Sequence, residues 1–170
     1  MFYMSQKQSH SALILLGGNT PETRSFFEKG IARIEEIAGT IVKVSGVYES
    51  TPWGFEAEGL FLNRVIEVST RMDAKGLLKV LLSIESELGR VRQQSGGYIS
   101  RSIDLDLLFF DDASFVSEDL TLPHPRLHLR RFTLLPLNEQ WPDRMHPTIG
   151  KTVKELLAQC PDEGLVRRCD

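Results

Sequence analysis

Apolar and polar positions alternate in two rhythms along this chain, and the switches between them mark its elements. Residues 11–16 (SALILL) read as a buried strand, and Gly17-Gly18-Asn19 ends it with a turn signal. Thr20-Pro21 fits a helix N-cap with proline at the first helical position. Phe27, Ile31, Ile34 and Ala38 then recur at helical spacing, so a helix is expected to about Ala38, closed by Gly39. Residues 40–49 alternate and are rich in β-branched side chains, as a strand with one buried face would be. A loop over 50–59 carries Pro52, Trp53, Gly54 and Phe55, and residues 60–70 (LFLNRVIEVST) predict the next strand. Leu77, Leu81, Ile84 and Leu88 define an amphipathic helix over 73–88, with Asp73 as its cap. The Gly96-Gly97 loop leads into an apolar strand through Phe110, and a later helix is expected over 150–159. The order β-α-β-β-α-β is that of an α+β, ferredoxin-like split βαβ fold, an antiparallel sheet with helices packed on it.

The strand after the Gly-Gly loop, Arg101-Ser102-Ile103-Asp104-Leu105-Asp106-Leu107-Leu108, is interrupted by two carboxylates. Successive strand side chains point to opposite faces, so Asp104 and Asp106 project side by side while Ile103, Leu105 and Leu107 face a core. Adjacent carboxylates repel unless a cation sits between them, and oxygen-only donors suit a hard ion such as Mg2+ that shares its shell with substrate phosphates. A solvated strand face is the alternative for an isolated pair of this kind.

Charge distribution favours the cation. The chain has 170 residues, 41% of them apolar, and a formal charge of −3, which fits one domain over 1–170 and gives no overall attraction to nucleic acid or an anionic membrane. Yet residues 89–103 hold Arg90, Arg92 and Arg101 with no acidic residue, and residues 120–137 hold His124, Arg126, His128, Arg130 and Arg131 with none. Two cationic stretches bracketing paired carboxylates suggest a polyphosphate held by arginine forks and metal together. No GxxxxGK[ST] loop is present, so side chains and metal must do the holding. Trp53, Phe55, Phe61, Tyr98 and Phe132 are candidate stacking surfaces for an acceptor, and Asn63 can read a heterocycle edge with donor and acceptor alike.

No 18-residue apolar run occurs, and the N-terminal residues lack a signal-peptide layout, so a cytoplasmic location is expected. Cys160 and Cys169 have no zinc-like spacing. His124 and His128 stand four apart but among prolines, which argues against a zinc pair on a helix. Residues 161–170 carry no readable functional signal. A single-stranded nucleic-acid module on a ferredoxin-like sheet is disfavoured by the negative charge, whereas another Mg2+-dependent phosphotransferase remains compatible with the aspartate pair.

Several segments together carry a family resemblance: Leu16-Gly17-Gly18-Asn19, Val47-Tyr48-Glu49-Ser50-Thr51-Pro52-Trp53-Gly54, Phe61-Leu62-Asn63, Glu85 through Gly89-Arg90-Val91-Arg92, Arg101 through Asp106, and Leu120-Thr121-Leu122-Pro123-His124-Pro125-Arg126 with Arg130-Arg131-Phe132. In this order the chain resembles the 6-hydroxymethyl-7,8-dihydropterin pyrophosphokinases of folate biosynthesis. The resemblance implies ATP as co-substrate, transfer of its β,γ-pyrophosphoryl unit to the pterin hydroxymethyl oxygen, and release of AMP. It implies two Mg2+ ions on Asp104 and Asp106. Arg90, Arg92, Arg101, Thr121, His124 and Arg130 would contact the ATP phosphates and the transition state, with Glu85 at the edge of the site. The pterin would lie between Tyr98 and Phe132, in a pocket lined by Ser50, Thr51, Trp53, Phe61 and Asn63. Residues 50–59 and 93–100 would be loops that close over the site, and a monomer without nucleic-acid or membrane partners is expected. Four positions depart from the family pattern: Gly18 replaces a common serine, Tyr98 a frequent tryptophan, Asp119 an arginine of some members and Pro125 a tyrosine.

Overall fold

The structure, a computed structural model, describes residues 8–89 and 102–170. Its main sheet has six strands: β1 (His10–Gly18), β2 (Gly39–Val44), β3 (Tyr48–Ser50), β4 (Phe61–Thr70), β5 (Asp104–Phe110) and β8 (Val166–Arg168). The strands β5, β1 and β4 lie side by side, β2 and β3 pair in turn along the far edge of β4, and β8 adds outside β3. All these pairings are antiparallel. The first four expected strands and two helices thus take the ferredoxin-like arrangement that their order predicts.

Two helices cover one face. α1 (Thr23–Ile37) and α2 (Ala74–Glu87) place Phe27, Ile34, Leu77, Leu81 and Ile84 against Ala12, Ile14, Leu16, Ile66, Leu105 and Leu107. Asp73 caps α2 by accepting from the Gly76 amide at 2.7 Å, an interaction worth about 1 kcal/mol. The opposite face carries α3 (Arg131–Gln140) and α4 (Val153–Ala158), whose Leu134, Leu137, Val153 and Leu156 pack on Leu13, Leu15, Val65, Leu108 and Phe109. Helices thus pack on both faces of the sheet. A small hairpin, β6 (Phe115–Val116) with β7 (Thr121–Leu122), follows β5.

Several boundaries differ from the sequence expectations. α1 starts at Thr23 rather than at Pro21, because Thr20 to Glu22 form a turn closed by the Thr23 amide on the Thr20 carbonyl. Gly39 opens β2 instead of closing the helix. The expected strand over 40–49 is two strands, since Ser45 turns aside: its hydroxyl, not its carbonyl, accepts from the Val65 amide. The last helix begins at Val153 behind a Thr152–Glu155 capping box, two residues after Gly150-Lys151. α3 and β8 had no counterpart in the pattern. Pro136 lies inside α3, and a proline cannot donate to the preceding turn, so the stretch does not read as a helix.

Candidate active site

The alternation of β5 places Asp104 and Asp106 on the face shared with α3, while Leu105 and Leu107 are buried on the other. Both aspartates line a cavity of about 230 Å³ together with Ser50, Thr51, Trp53, Phe61, Asn63, His124, Arg130 and Phe132. Eight pocket and phosphate candidates from four separate segments thus converge on the carboxylate pair. Leu15, Gly17, Phe55 and Arg126 complete the lining.

Strand register sets the floor of this cavity. Gly17 of β1 stands opposite Asn63 of β4 on one side and Asp104 of β5 on the other. Asn63 is 3% exposed and donates from Nδ2 to the Ser50 hydroxyl at 2.9 Å, so its amide plane is held by a second buried polar group. This leaves Oδ1 and one amide hydrogen for a ligand edge. On the wall, the Arg130 guanidinium lies 4.8 Å from the Trp53 ring centre and 5.6 Å from that of Phe132. Such cation–π contacts hold a planar cation against aromatic faces without consuming its hydrogen-bond donors.

A neighbouring groove of about 620 Å³ shares Asp106 and His124 with the first cavity. Its aliphatic lining comes from Leu78, Leu82, Leu105, Leu107 and Leu120, and Lys75, Lys79, Glu85, Asp119, Thr121 and Pro125 supply polar and turn positions. Glu85 is 2% exposed, and its Oε1 accepts from the Leu105 amide at 2.7 Å. That bond ties α2 to the edge strand between the two aspartates.

His124 is the hinge between the two spaces. Its amide bonds the Leu108 carbonyl, and its Nδ1 accepts from the Arg126 amide at 3.2 Å. An accepting Nδ1 leaves the ring proton on Nε2. Burial, with the nearby charges of Arg130 and Arg126, pushes its pKa down to about 4, so the ring is a neutral donor at physiological pH.

Arg90, Arg92, Tyr98, Arg101 and the loop over 93–100 lie outside the described residues. Glu85 and Thr121 line only the groove, away from the pterin candidates. Lys75 and Lys79 are additions: in sequence each is one charge among many, and only the fold brings them to the groove, whereas Arg126 comes from the cationic stretch over 120–137.

The donor set suits Mg2+. Among the described residues no group of three or more His, Cys, Asp or Glu side chains could enclose a metal alone. Two carboxylates on one open cavity, with Asp106 also on the groove, instead leave most coordination positions to phosphate and water oxygens, the habit of Mg2+.

Fold and site together define a ferredoxin-like α+β protein with an aromatic pocket and a neighbouring groove that meet at Asp106 of the carboxylate pair, an arrangement that suits two-substrate group transfer. A family model described as 7,8-dihydro-6-hydroxymethylpterin-pyrophosphokinase (HPPK) matches residues 13–142, and the chain belongs to that family. It is 39% identical over 141 residues to the 2-amino-4-hydroxy-6-hydroxymethyldihydropteridine pyrophosphokinase of Aquifex aeolicus, covering 83% of this chain and 86% of that protein. The enzyme of the same name from Methylorubrum extorquens is 36% identical over 157 residues, covering 92% and 97%. The wild-type HPPK-DHPS of Plasmodium falciparum has a similar fold, with a TM-score of 0.75 at 16% identity over 89% of this chain. This chain spans 43% of that solved structure.

Proposed function

We propose that this pyrophosphokinase joins the hydroxymethyl oxygen of 6-hydroxymethyl-7,8-dihydropterin to the β-phosphorus of ATP. The bond between that phosphorus and the oxygen bridging to the α-phosphate breaks, AMP departs, and the hydroxyl proton passes to solvent. Family membership supports the reaction, and one observation supports its placement: the aromatic cavity and the aliphatic groove meet at Asp106 and His124.

In this reading the cavity takes the pterin. Asn63 and Ser50 orient its polar edge, Phe132 and Trp53 supply apolar faces, and the hydroxymethyl group points towards Asp104 and Asp106. The groove takes ATP, with the adenine against Leu78, Leu82 and Leu107. The triphosphate then runs past Thr121 and the Nε2–H of His124, and Arg130 faces it with a charge held by Trp53. Asp104 and Asp106 would hold Mg2+, which when bound neutralises phosphate charge and orients the attacking hydroxyl. Glu85 keeps β5 in place behind them. Arg90, Arg92 and Arg101 would add charge, and Tyr98 a second stacking face opposite Phe132.

The enzyme would work as a monomer and a single domain in the cytoplasm, without nucleic acid. Among the described residues no helix is long and apolar enough to cross a membrane. The test is AMP release from ATP and Mg2+ with and without the pterin. Pterin-dependent AMP is expected, with two Mg2+ per active complex by titration. ADP as the product, or AMP release indifferent to the pterin, would overturn the reading.

A further inference from the structure

We propose that the C-terminal segment over 162–168 is a clamp that sets the spacing of the two walls of the pterin cavity, with Asp162 as its positioning residue. The inference rests on the cavity being the pterin site. One wall is the start of α3, where Arg130 is the N-cap and Phe132 follows in the first turn. The other is the end of β3, with Ser50 and Thr51. Both are held by the same short stretch of chain, which lies beyond the residues that the family model matches.

On the α3 side, Arg130 makes no side-chain cap of its own, and the Asp162 carboxylate takes that place from a distance in sequence. Its Oδ2 accepts from the Arg131 amide at 2.9 Å. A carboxylate at a helix N-terminus also meets the positive end of the helix dipole. On the β3 side, the Thr51 amide donates to the Leu165 carbonyl at 3.1 Å, and Ser50 pairs with Val166 in the β3–β8 ladder. The turn between these anchors is closed by the Gly164 amide on Asp162 Oδ1 at 2.8 Å. One carboxylate therefore fixes the turn with one oxygen and the helix start with the other. Gly164 is packed into this turn: a Cβ there would stand 2.9 Å from Asp162 Oδ1 and 3.2 Å from Thr51 Oγ1.

A clamp of this kind acts more on the pterin than on the nucleotide, because no residue that lines the groove is anchored by it, and of the described phosphate candidates Thr121, His124 and Arg130 it holds only the helix start that bears Arg130. Asp162→Ala removes both bonds, Asp162→Asn keeps one strong acceptor, and Gly164→Ala retains the Asp162 carboxylate but crowds it in the turn. The unmutated chain and these variants are compared by steady-state kinetics, by fluorescence titration with 6-hydroxymethyl-7,8-dihydropterin, and by thermal melts. Asp162→Ala should raise the pterin KM and Kd about fivefold, the equivalent of a lost helix cap at ~1 kcal/mol, with the ATP KM within about twofold of the unmutated value. Gly164→Ala should shift in the same direction, and Asp162→Asn should recover part of the loss. Unchanged pterin affinity in both Asp162→Ala and Gly164→Ala would overturn the clamp, as would a parallel rise of both KM values in proportion to lost stability. The unmutated chain separates this from the parent reading: pterin-dependent AMP release with unmoved variants overturns the clamp alone, whereas no pterin binding by the unmutated chain overturns both.

Discussion

Asn63 and Asp104 stand on either side of Gly17, each its cross-strand partner, so the residue proposed to read the heterocycle and a residue of the carboxylate pair are separated by a position with no side chain. A Cβ on Gly17 would lie 3.6 Å from Asn63 Oδ1 and 4.0 Å from Asp104 Cβ, which is ordinary contact. Alanine is therefore accommodated, but a branched side chain would project over the cavity floor. Gly17→Val should fold and bind the pterin about tenfold more weakly, the size of a ~1–2 kcal/mol steric penalty, in a fluorescence titration. Pterin affinity equal to the unmutated protein would show that the ligand does not rest on this floor.

Asp104→Ala and Asp106→Ala should each lower turnover by roughly a hundredfold or more, since even the outer partners of metal ligands are worth about ten- to a hundredfold. Both carboxylates face the cavity and neither supports the buried core, so the thermal midpoint should move little. Turnover retained in either variant would remove that residue from the metal site.

The amount of this that the sequence discloses depends on the range of the interaction involved. The aspartate pair was legible because alternation in β5 is local, and the burial of Ile103, Leu105 and Leu107 follows from the same rhythm. The amphipathic spacing of Leu77, Leu81 and Ile84 likewise sufficed for α2, down to its Asp73 cap. α3 was hidden because Pro136 contradicts the local rule and tertiary packing of Leu134 and Leu137 overrides it. β8 is only three residues long, and its pairing with β3 is a long-range fact with no local trace. The tautomer of His124 belongs to the same class, because it depends on a turn geometry that prolines obscure in the sequence.

Glu85 supports the aspartates from behind. Its buried carboxylate is the acceptor for the Leu105 amide of β5, the edge strand of the main sheet, which pairs with β1 on its other side. Glu85→Ala would leave that amide buried without this acceptor, at a cost of about 1–3 kcal/mol in urea unfolding, and should lower turnover by shifting β5. Glu85→Gln, which keeps a carbonyl acceptor, should retain most of the stability. Equal losses in the two variants would mean that the charge matters and the bond to Leu105 does not.

Gly18 replaces the serine common in the family, and the surroundings here do not admit that residue freely. A Cβ would stand 2.8 Å from Thr23 Cγ2 and 2.9 Å from the Ser102 carbonyl oxygen. Backbone cannot yield as a flexible side chain does, so Gly18→Ser should destabilise the protein by about 1–3 kcal/mol. Pairing it with Thr23→Ser, which removes the methyl group, should recover part of the loss. A fully stable Gly18→Ser would show that α1 shifts to make room.

His124 gives a prediction whose sign can be worked out. Its folded pKa of about 4 lies below the unfolded value near 6.5, driven down by burial and then by Arg130 and Arg126. Between those two pH values the unfolded chain holds a proton that the folded chain does not, so His124 makes stability fall as the pH is lowered from about 6.5 towards 4. Above about 6.5 it has no effect. His124→Gln removes this dependence while keeping a neutral donor. The stability of the unmutated protein relative to His124→Gln should therefore be lower at pH 5 than at pH 7.5 in urea unfolding, and kcat/KM should show no His124 limb between pH 5 and 8. A constant difference in stability, or a rate that titrates near 6.5 and loses that limb in His124→Gln, would mean that the ring is protonated in the folded enzyme and meets the phosphates as a cation rather than as a neutral Nε2–H donor.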